Sequence, residues 1–324
     1  MAVITPTTIF QDKKEGAAFS GLLDDVGVDA VAALGFYKLR TAYTGDCIQV
    51  RRASDSTTQD IGFDANGEVD TAAIASFCGS SQGTIVIWYD QSGNSYDFNT
   101  TNTPQAGSSA NEPIIYFDYG GATGYAVTTD AAGNVACFSV DPGSTSQYGT
   151  RFLNSPAMDA KQSPVITIFG QVNTYNNTGI ITTELDNGYN IGTYGASGNS
   201  LKAIRSSGAN LVTKLTVNVD GTDPFASTVF YCDDCGVNNA NWYMTSYLDN
   251  VSPFDSTFTC AGFNSATYNN VTILRYYSGV LYQNMCMSAY IYWDKPSGTN
   301  LTSTEIFDLY DWVETNLGYT NNAP

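Results

Sequence analysis

No histidine occurs in the 324 residues of this chain. That absence removes every mechanism built on an imidazole: Ser-His-Asp and Cys-His nucleophiles, and histidine-ligated metals. Carboxylates remain. In a retaining glycosidase one carboxylate attacks the anomeric carbon, while a second carboxyl about 5 Å away protonates the leaving oxygen. Thiols are the other reactive groups, at Cys47, Cys78, Cys137, Cys232, Cys235, Cys260 and Cys286. An odd count without compact spacing is no disulfide framework. Cys232-Asp-Asp-Cys235 spaces two thiolates as half of a zinc site, but no second pair and no histidine complete it. Buried thiols are therefore expected, with no metal and no cofactor.

Trp88-Tyr89-Asp90-Gln91-Ser92-Gly93 reads as a strand leaving the core into a turn. Asp90 and Ser92 can hydrogen-bond neighbouring backbone there, and Gly93 can take a positive φ. Fixing a strand-to-loop corner is the expected role. Arg51, Arg52, Asp55 and Asp60 are expected to form ion pairs or loop hydrogen bonds near the same end of the molecule.

The elements that position these residues are mostly strands. Alternation marks Cys47 to Arg52, and a continuous apolar run marks Thr84 to Tyr89 as a strand covered on both faces. A helical stretch is read through Val26 to Leu39, with Val31, Leu34 and Tyr37 on one face. Asp70 caps a short helix, Ala72 to Phe77, that stops before Gly79. Further strands are read at Pro113 to Phe117, Val165 to Val172, Gly188 to Tyr194, Leu211 to Val219, Thr228 to Cys232, Asn241 to Leu248, Arg275 to Leu281 and Met285 to Trp293. Thr302 and Glu305 form a capping box for a closing helix whose stripe is Ile306, Leu309, Val313 and Leu317, ended by Gly318. Many strands and few helices predict a two-sheet sandwich.

Bulk composition fits one large core, at 43% hydrophobic and 13% aromatic. A single domain over 21–324 is expected, preceded by an extended arm over 1–20. A formal charge of −18, from 13 Lys+Arg against 31 Asp+Glu, repels phosphate backbones and anionic lipid. No nucleic acid is expected as a partner. No apolar run reaches the roughly 18 residues of a spanning helix, so no membrane insertion is expected either. The first twenty residues lack the apolar core of a signal peptide, which gives the expectation of no Sec-type export.

The ordered run Leu39-Arg40-Thr41-Ala42-Tyr43-Thr44-Gly45, Val50-Arg51-Arg52-Ala53-Ser54-Asp55, Gln59-Asp60-Ile61-Gly62-Phe63 and Trp88 to Gly93 resembles the opening of the arabinofuranosidase B catalytic domain, glycoside hydrolase family fifty-four. The resemblance is strong over 22–98, weak through the middle, and returns over 275–319. It implies a mainly β fold, a concanavalin- or laminin-G-like two-sheet jelly-roll sandwich with a few short helices and a C-terminal one. In that family the nucleophile is a Glu that follows a segment with vicinal cysteines. The corresponding stretch here, 179–188, has no vicinal cysteines and offers Glu184 first and Asp186 second. The family's acid/base Asp falls in the segment similar to Ala261-Gly262-Phe263-Asn264-Ser265, where Phe263 stands in its place. Phenylalanine delivers no proton.

Modules with the same opening also look like parts of tailed-phage virion proteins. Eroded catalytic motifs on a kept scaffold therefore lead to the expectation of a non-catalytic phage structural protein: a capsid decoration, head-fibre or tail-associated subunit, made in a bacterial cytoplasm. Its partners would be capsid or tail proteins, further copies of itself, and host surface glycan. One alternative is an active, secreted retaining arabinofuranosidase or other glycanase using Glu184 and Asp186. The other is a carbohydrate-binding module adsorbing to host glycan, with Trp88, Asp90, Tyr189 and Phe263 as candidate contacts.

Overall fold

The computed structural model describes residues 19–100, 112–129, 153–156, 165–172, 285–295 and 301–317 and, between 180 and 273, the strands. The chain begins with α1 (Leu22–Val26), β1 (Ala30–Gly35), β2 (Ile48–Arg52), β3 (Thr58–Ile61) and α2 (Thr71–Cys78). It continues through β4 (Gly83–Trp88), β5 (Phe98–Asn99), β6 (Ile114–Asp118), β7 (Tyr125–Val127), β8 (Leu153–Asn154) and β9 (Val165–Val172). Then follow β10 (Ile180–Leu185), β11 (Tyr189–Tyr194), β12 (Ser200–Leu201), β13 (Ala203–Arg205), β14 (Val212–Thr213) and β15 (Val217–Asn218). The last elements are β16 (Ala226–Asp233), β17 (Ala240–Leu248), β18 (Val251–Cys260), β19 (Val271–Ile273), β20 (Met285–Trp293) and α3 (Ser303–Leu317).

Two large sheets carry the fold. The smaller has six strands in the order β1-β20-β9-β16-β17-β18. The larger has twelve, in the order β14-β13-β11-β10-β19-β8-β5-β4-β2-β3, with β6 and β7 branching from β4; β12 and β15 form a separate pair. Aromatic contacts join the large sheets: Phe98 of β5 meets Tyr290 of β20 at 5.5 Å, and Phe36, just after β1, stacks on Trp88 of β4 at 5.1 Å. The other face of β1, β9 and β20 is covered by the helices, where Ala33, Val165, Ala289, Ile291 and Trp293 pack with Leu22, Leu23, Val26, Leu309, Trp312 and Val313. The result is a mostly β, sandwich-like molecule with few helices, as expected.

Local chemistry accounts for the ends of the helices. Asp70 accepts from the Ala73 N–H at 2.8 Å and starts α2. Thr302 and Glu305 close the capping box reciprocally, at 2.6 and 3.2 Å. Lys295 also donates to both Glu305 oxygens at 2.8 Å. Burial pushes the Glu305 carboxyl up, but the Lys295 and Thr302 hydrogen bonds outweigh it and hold it below its usual value. Gly27, at φ 67°, ends α1 in the left-handed region.

The helix expected through Val26 to Leu39 is not formed. Ala30–Gly35 is instead a strand buried on both faces, and α1 ends before it. Helix propensity in Ala30-Val31-Ala32-Ala33 is small beside the packing of a strand between a helix layer and a second sheet. The single strand read over Leu211 to Val219 is two short ones, β14 and β15, which belong to different sheets. The long strand β18 is not among the strands expected from the sequence. Arg275 to Leu281, Gly318 and residues 1–18 lie outside the described residues. Phe19 and Ser20, assigned to the arm, belong with the body: Phe19 packs against the helix-covered core and Trp312 Nε1 donates to the Ser20 carbonyl at 2.7 Å.

Candidate functional site

Strand register organises the larger sheet into two kinds of row. Because residues directly opposite in antiparallel strands share a face, Trp88 pairs with Phe98 and with Ile48, and Ile48 with Ile61. All four are buried, as are the paired Leu153 and Ile273. This is the face that meets the smaller sheet. The alternate row runs Asn190–Glu184–Thr272–Asn154–Asn99–Ile87–Gln49–Asp60, crossing β11, β10, β19, β8, β5, β4, β2 and β3 without a break. Seven of these eight positions are polar, and they belong to the face turned away from the smaller sheet.

Glu184 therefore occupies a register position on the outer face, held between Asn190 of β11 and Thr272 of β19. Tyr189 is the first residue of β11, opposite Leu185, and so belongs to the other row. Asp186 and Phe263 lie outside the described residues.

At the β3 end the side chains are defined. Tyr89 donates its hydroxyl to Asp60 Oδ1 at 2.7 Å, and Gln49 Nε2 donates to the same oxygen at 2.9 Å. Burial first, then the bond to Asp60 and the charges of Asp60, Asp46 and Asp97, push the Tyr89 phenol well above its usual value. It stays a neutral donor at every physiological pH.

The Trp88 to Gly93 corner performs the structural role expected of it. β1 is an edge strand of the smaller sheet, so its outer N–H and C=O groups need partners. The loop after β4 supplies them. Asp90 accepts from Ala33 N at 2.8 Å, from Ser92 N at 2.9 Å, from Ser92 Oγ at 2.6 Å and from Tyr96 N at 3.0 Å. Gln91 accepts from Leu39 N at 2.8 Å and donates to the Gly35 and Tyr37 carbonyls at 3.0 and 3.1 Å. Asn94 Nδ2 donates to the Ala30 and Val31 carbonyls. Gly93 has φ 95°, the positive value expected. Trp88 is 0% and Asp90 5% exposed, which corrects their candidacy as glycan contacts: one fills the inter-sheet core and the other is used up on backbone.

The arginines are likewise structural. Arg52 pairs with both Asp55 oxygens at 3.1 and 2.6 Å, donates to the Phe77 carbonyl and lies over the Phe77 ring. That hydrogen bond holds the Asp55 carboxyl well below its usual range. Arg51 pairs with Glu112, which is 2% exposed and also accepts from Thr84 Oγ1 at 2.6 Å. Gln91, Asn94 and Glu112 were missed from sequence because an uncharged staple or a buried carboxylate 61 residues from its partner leaves no local pattern.

Cys47 and Cys78 are free and buried, and burial pushes the Cys78 thiol up to about 11. Among the described residues no group of three or more His, Cys, Asp or Glu could hold a metal ion, and no helix is long and apolar enough to cross a membrane.

The family model "Alpha-L-arabinofuranosidase B, catalytic" matches residues 24–203, more than half of the chain and a span that includes β10 and Glu184. Arabinofuranosidase B of Emericella nidulans is 38% identical over 106 residues, 32% of this chain and 20% of that protein. That of Aspergillus oryzae is 40% identical over 91 residues, 28% of this chain and 18% of that protein. The matched region thus spans about a fifth of the length of these relatives. Among solved structures, an arabinofuranosidase complexed with arabinofuranosyl-α-1,2-xylobiose aligns with TM-score 0.61 at 15% identity, over 91% of this chain and 64% of that one. A mutant GH54 α-L-arabinofuranosidase soaked with 4-nitrophenyl α-L-arabinofuranoside gives the same values. At that identity the likeness carries the fold alone.

These matches overturn the expectation of a phage virion component. Neither the capsid or tail role nor the virion localisation has support, since the relatives are fungal arabinofuranosidases. The scaffold that the opening motifs suggested is the family's own, and the chain belongs to the arabinofuranosidase B catalytic family.

Proposed function

We propose that this protein is a retaining α-L-arabinofuranoside hydrolase in which Glu184 is the nucleophile. One observation supports the reading: the family match continues through β10, the strand in which Glu184 pairs with Asn190 on one side and Thr272 on the other. A nucleophile needs a fixed Cα, and a strand bonded on both sides supplies it. The sandwich is read as a concanavalin-like jelly roll forming one domain, acting outside the cell where arabinofuranosyl polymers occur.

In the first step a Glu184 carboxylate oxygen forms a bond to the anomeric carbon as the glycosidic C–O bond breaks, and the leaving oxygen takes the electron pair. An aryl leaving group such as 4-nitrophenolate is stable as an anion and needs no protonation. Water then attacks the same carbon and gives up its proton to solvent, releasing arabinose and restoring the carboxylate. With Phe263 standing in the acid/base segment, the chain supplies no proton transfer from that position, so natural alkoxide leaving groups and the water step are slowed, typically 10²–10⁴-fold. Asp186 is the second carboxyl within reach in sequence.

The test is release of 4-nitrophenol from 4-nitrophenyl α-L-arabinofuranoside. Turnover by the parent that falls at least about a hundredfold in Glu184→Gln is expected. A parent with no activity, or a Glu184→Gln variant as active as the parent, contradicts the reading.

A further inference from the structure

The accessible stretch of the polar row lies at its β3 end. Asn99, Ile87 and Gln49 are half-buried and Asp60 is exposed, on four adjacent strands, and half-buried Tyr89 lies two residues beyond Ile87 on the same face. Strands about 4.8 Å apart make this a strip roughly 14 Å wide. Its middle is apolar, formed by Ile87 and the Tyr89 ring. Its flanks are hydrogen-bonding groups: the Gln49 amide and Asp60 carboxylate on one side, the Asn99 amide on the other. Gln49 and Tyr89 both bond Asp60 Oδ1, while Asp60 Oδ2 has no hydrogen-bond partner among the described residues. An apolar platform edged by a few fixed polar groups suits a ligand with an apolar face and a rim of hydroxyls.

Charge decides between ligands of that kind. Asp60 and Asp97 stand on or beside the strip and the whole chain carries −18, so polyanionic glycans are repelled. We propose that this strip binds an uncharged polysaccharide and holds the backbone of a polymer whose arabinofuranosyl branch reaches Glu184. The proposal rests on the hydrolase reading above. From β3 to β10 the row covers six strand spacings, roughly 29 Å, which an oligosaccharide can span and a single sugar cannot. Between the strip and Glu184 lies Asn154, 0% exposed, so strip and Glu184 are two separate contact points along one row.

The experiment is affinity electrophoresis of the full chain in gels containing arabinoxylan or polygalacturonate, backed by calorimetric titration with arabinoxylan. Retardation by arabinoxylan and none by polygalacturonate is expected. Gln49→Ala combined with Asp60→Ala, at exposed or half-buried positions, is expected to weaken arabinoxylan binding about tenfold, the loss of one or two hydrogen bonds. Tyr89→Ala is expected to weaken it at least as much and Tyr89→Phe, which keeps the ring, less. Each variant is compared at a melting temperature that shows it folded. No retardation of the parent, retardation by polygalacturonate, or equal retardation of parent and variants overturns the strip. Strip-dependent binding without turnover would remove the hydrolase reading and keep the strip. Turnover with binding indifferent to these variants would remove the strip and keep the hydrolase reading.

Discussion

Asp90 illustrates how a single carboxylate can be conspicuous in a sequence and still have nothing to do with catalysis. Four hydrogen bonds converge on it, one from the edge strand β1. Asp90→Ala strands the buried Ala33 N–H and frees the loop, and is expected to cost roughly 3 kcal/mol or more in chemical denaturation; a loss under about 1 kcal/mol would show the staple to be dispensable. Asp97, which accepts from Asp90 N at 2.9 Å, titrates differently. Burial is the largest influence and raises its carboxyl; the bond from Asp90 N–H lowers it and the Asp90 charge raises it again, leaving it above its usual value. Between the unfolded value near 4 and the raised folded value, the native state holds more proton than the unfolded chain. This group's contribution to stability is therefore complete below the unfolded value and is lost as pH rises through the folded one. Asp97→Asn keeps an acceptor for Asp90 N–H and removes the charge. Its melting temperature relative to the parent is expected to rise with pH across that window, and a pH-independent difference would refute the assignment.

At the scale of elements, what was legible in the sequence was whatever local chemistry determines. Asp70 and Gly79 frame α2, and Thr302 with Glu305 start α3, because capping involves residues three apart. Most strand ranges followed from alternation or from short apolar runs. Ala30–Gly35 did not, because an Ala-rich apolar segment reads alike as buried helix or buried strand, and only the layers around it decide. The stripe of α3 was read without its largest member: Trp312, 2% exposed, packs its ring 5.1 Å from Tyr37 and ties the helix to Ser20. Trp312→Ala is expected to cost about 3–5 kcal/mol, against about 1 kcal/mol for Thr302→Ala at the cap. Equal losses, measured by urea denaturation, would mean that α3 is held by its cap rather than by its packed face.

For the whole molecule, the candidate site was legible only in part. Glu184 came from family likeness, while the row that carries it is built from strands in the spatial order β11-β10-β19-β8-β5-β4-β2-β3, which no local pattern encodes. Eroded motifs on a kept scaffold are compatible with the family, and the family match overturns the virion expectation. Among the described residues the cores on both faces of the smaller sheet are apolar, and Cys47 and Cys78 are free thiols, so stability is expected to need neither metal nor disulfide. A melting temperature unchanged by chelator and by reductant is expected, and a fall of several degrees with either would revive Cys232 and Cys235 as ligands or partners.

The most direct test of the central claim is mass spectrometry of peptides from the protein quenched during turnover of an aryl α-L-arabinofuranoside. A slowed water step lets the glycosyl-enzyme accumulate. The account predicts a pentosyl adduct on the peptide that contains Glu184, absent in Glu184→Gln; turnover with no adduct, or an adduct on a different carboxylate, would contradict it.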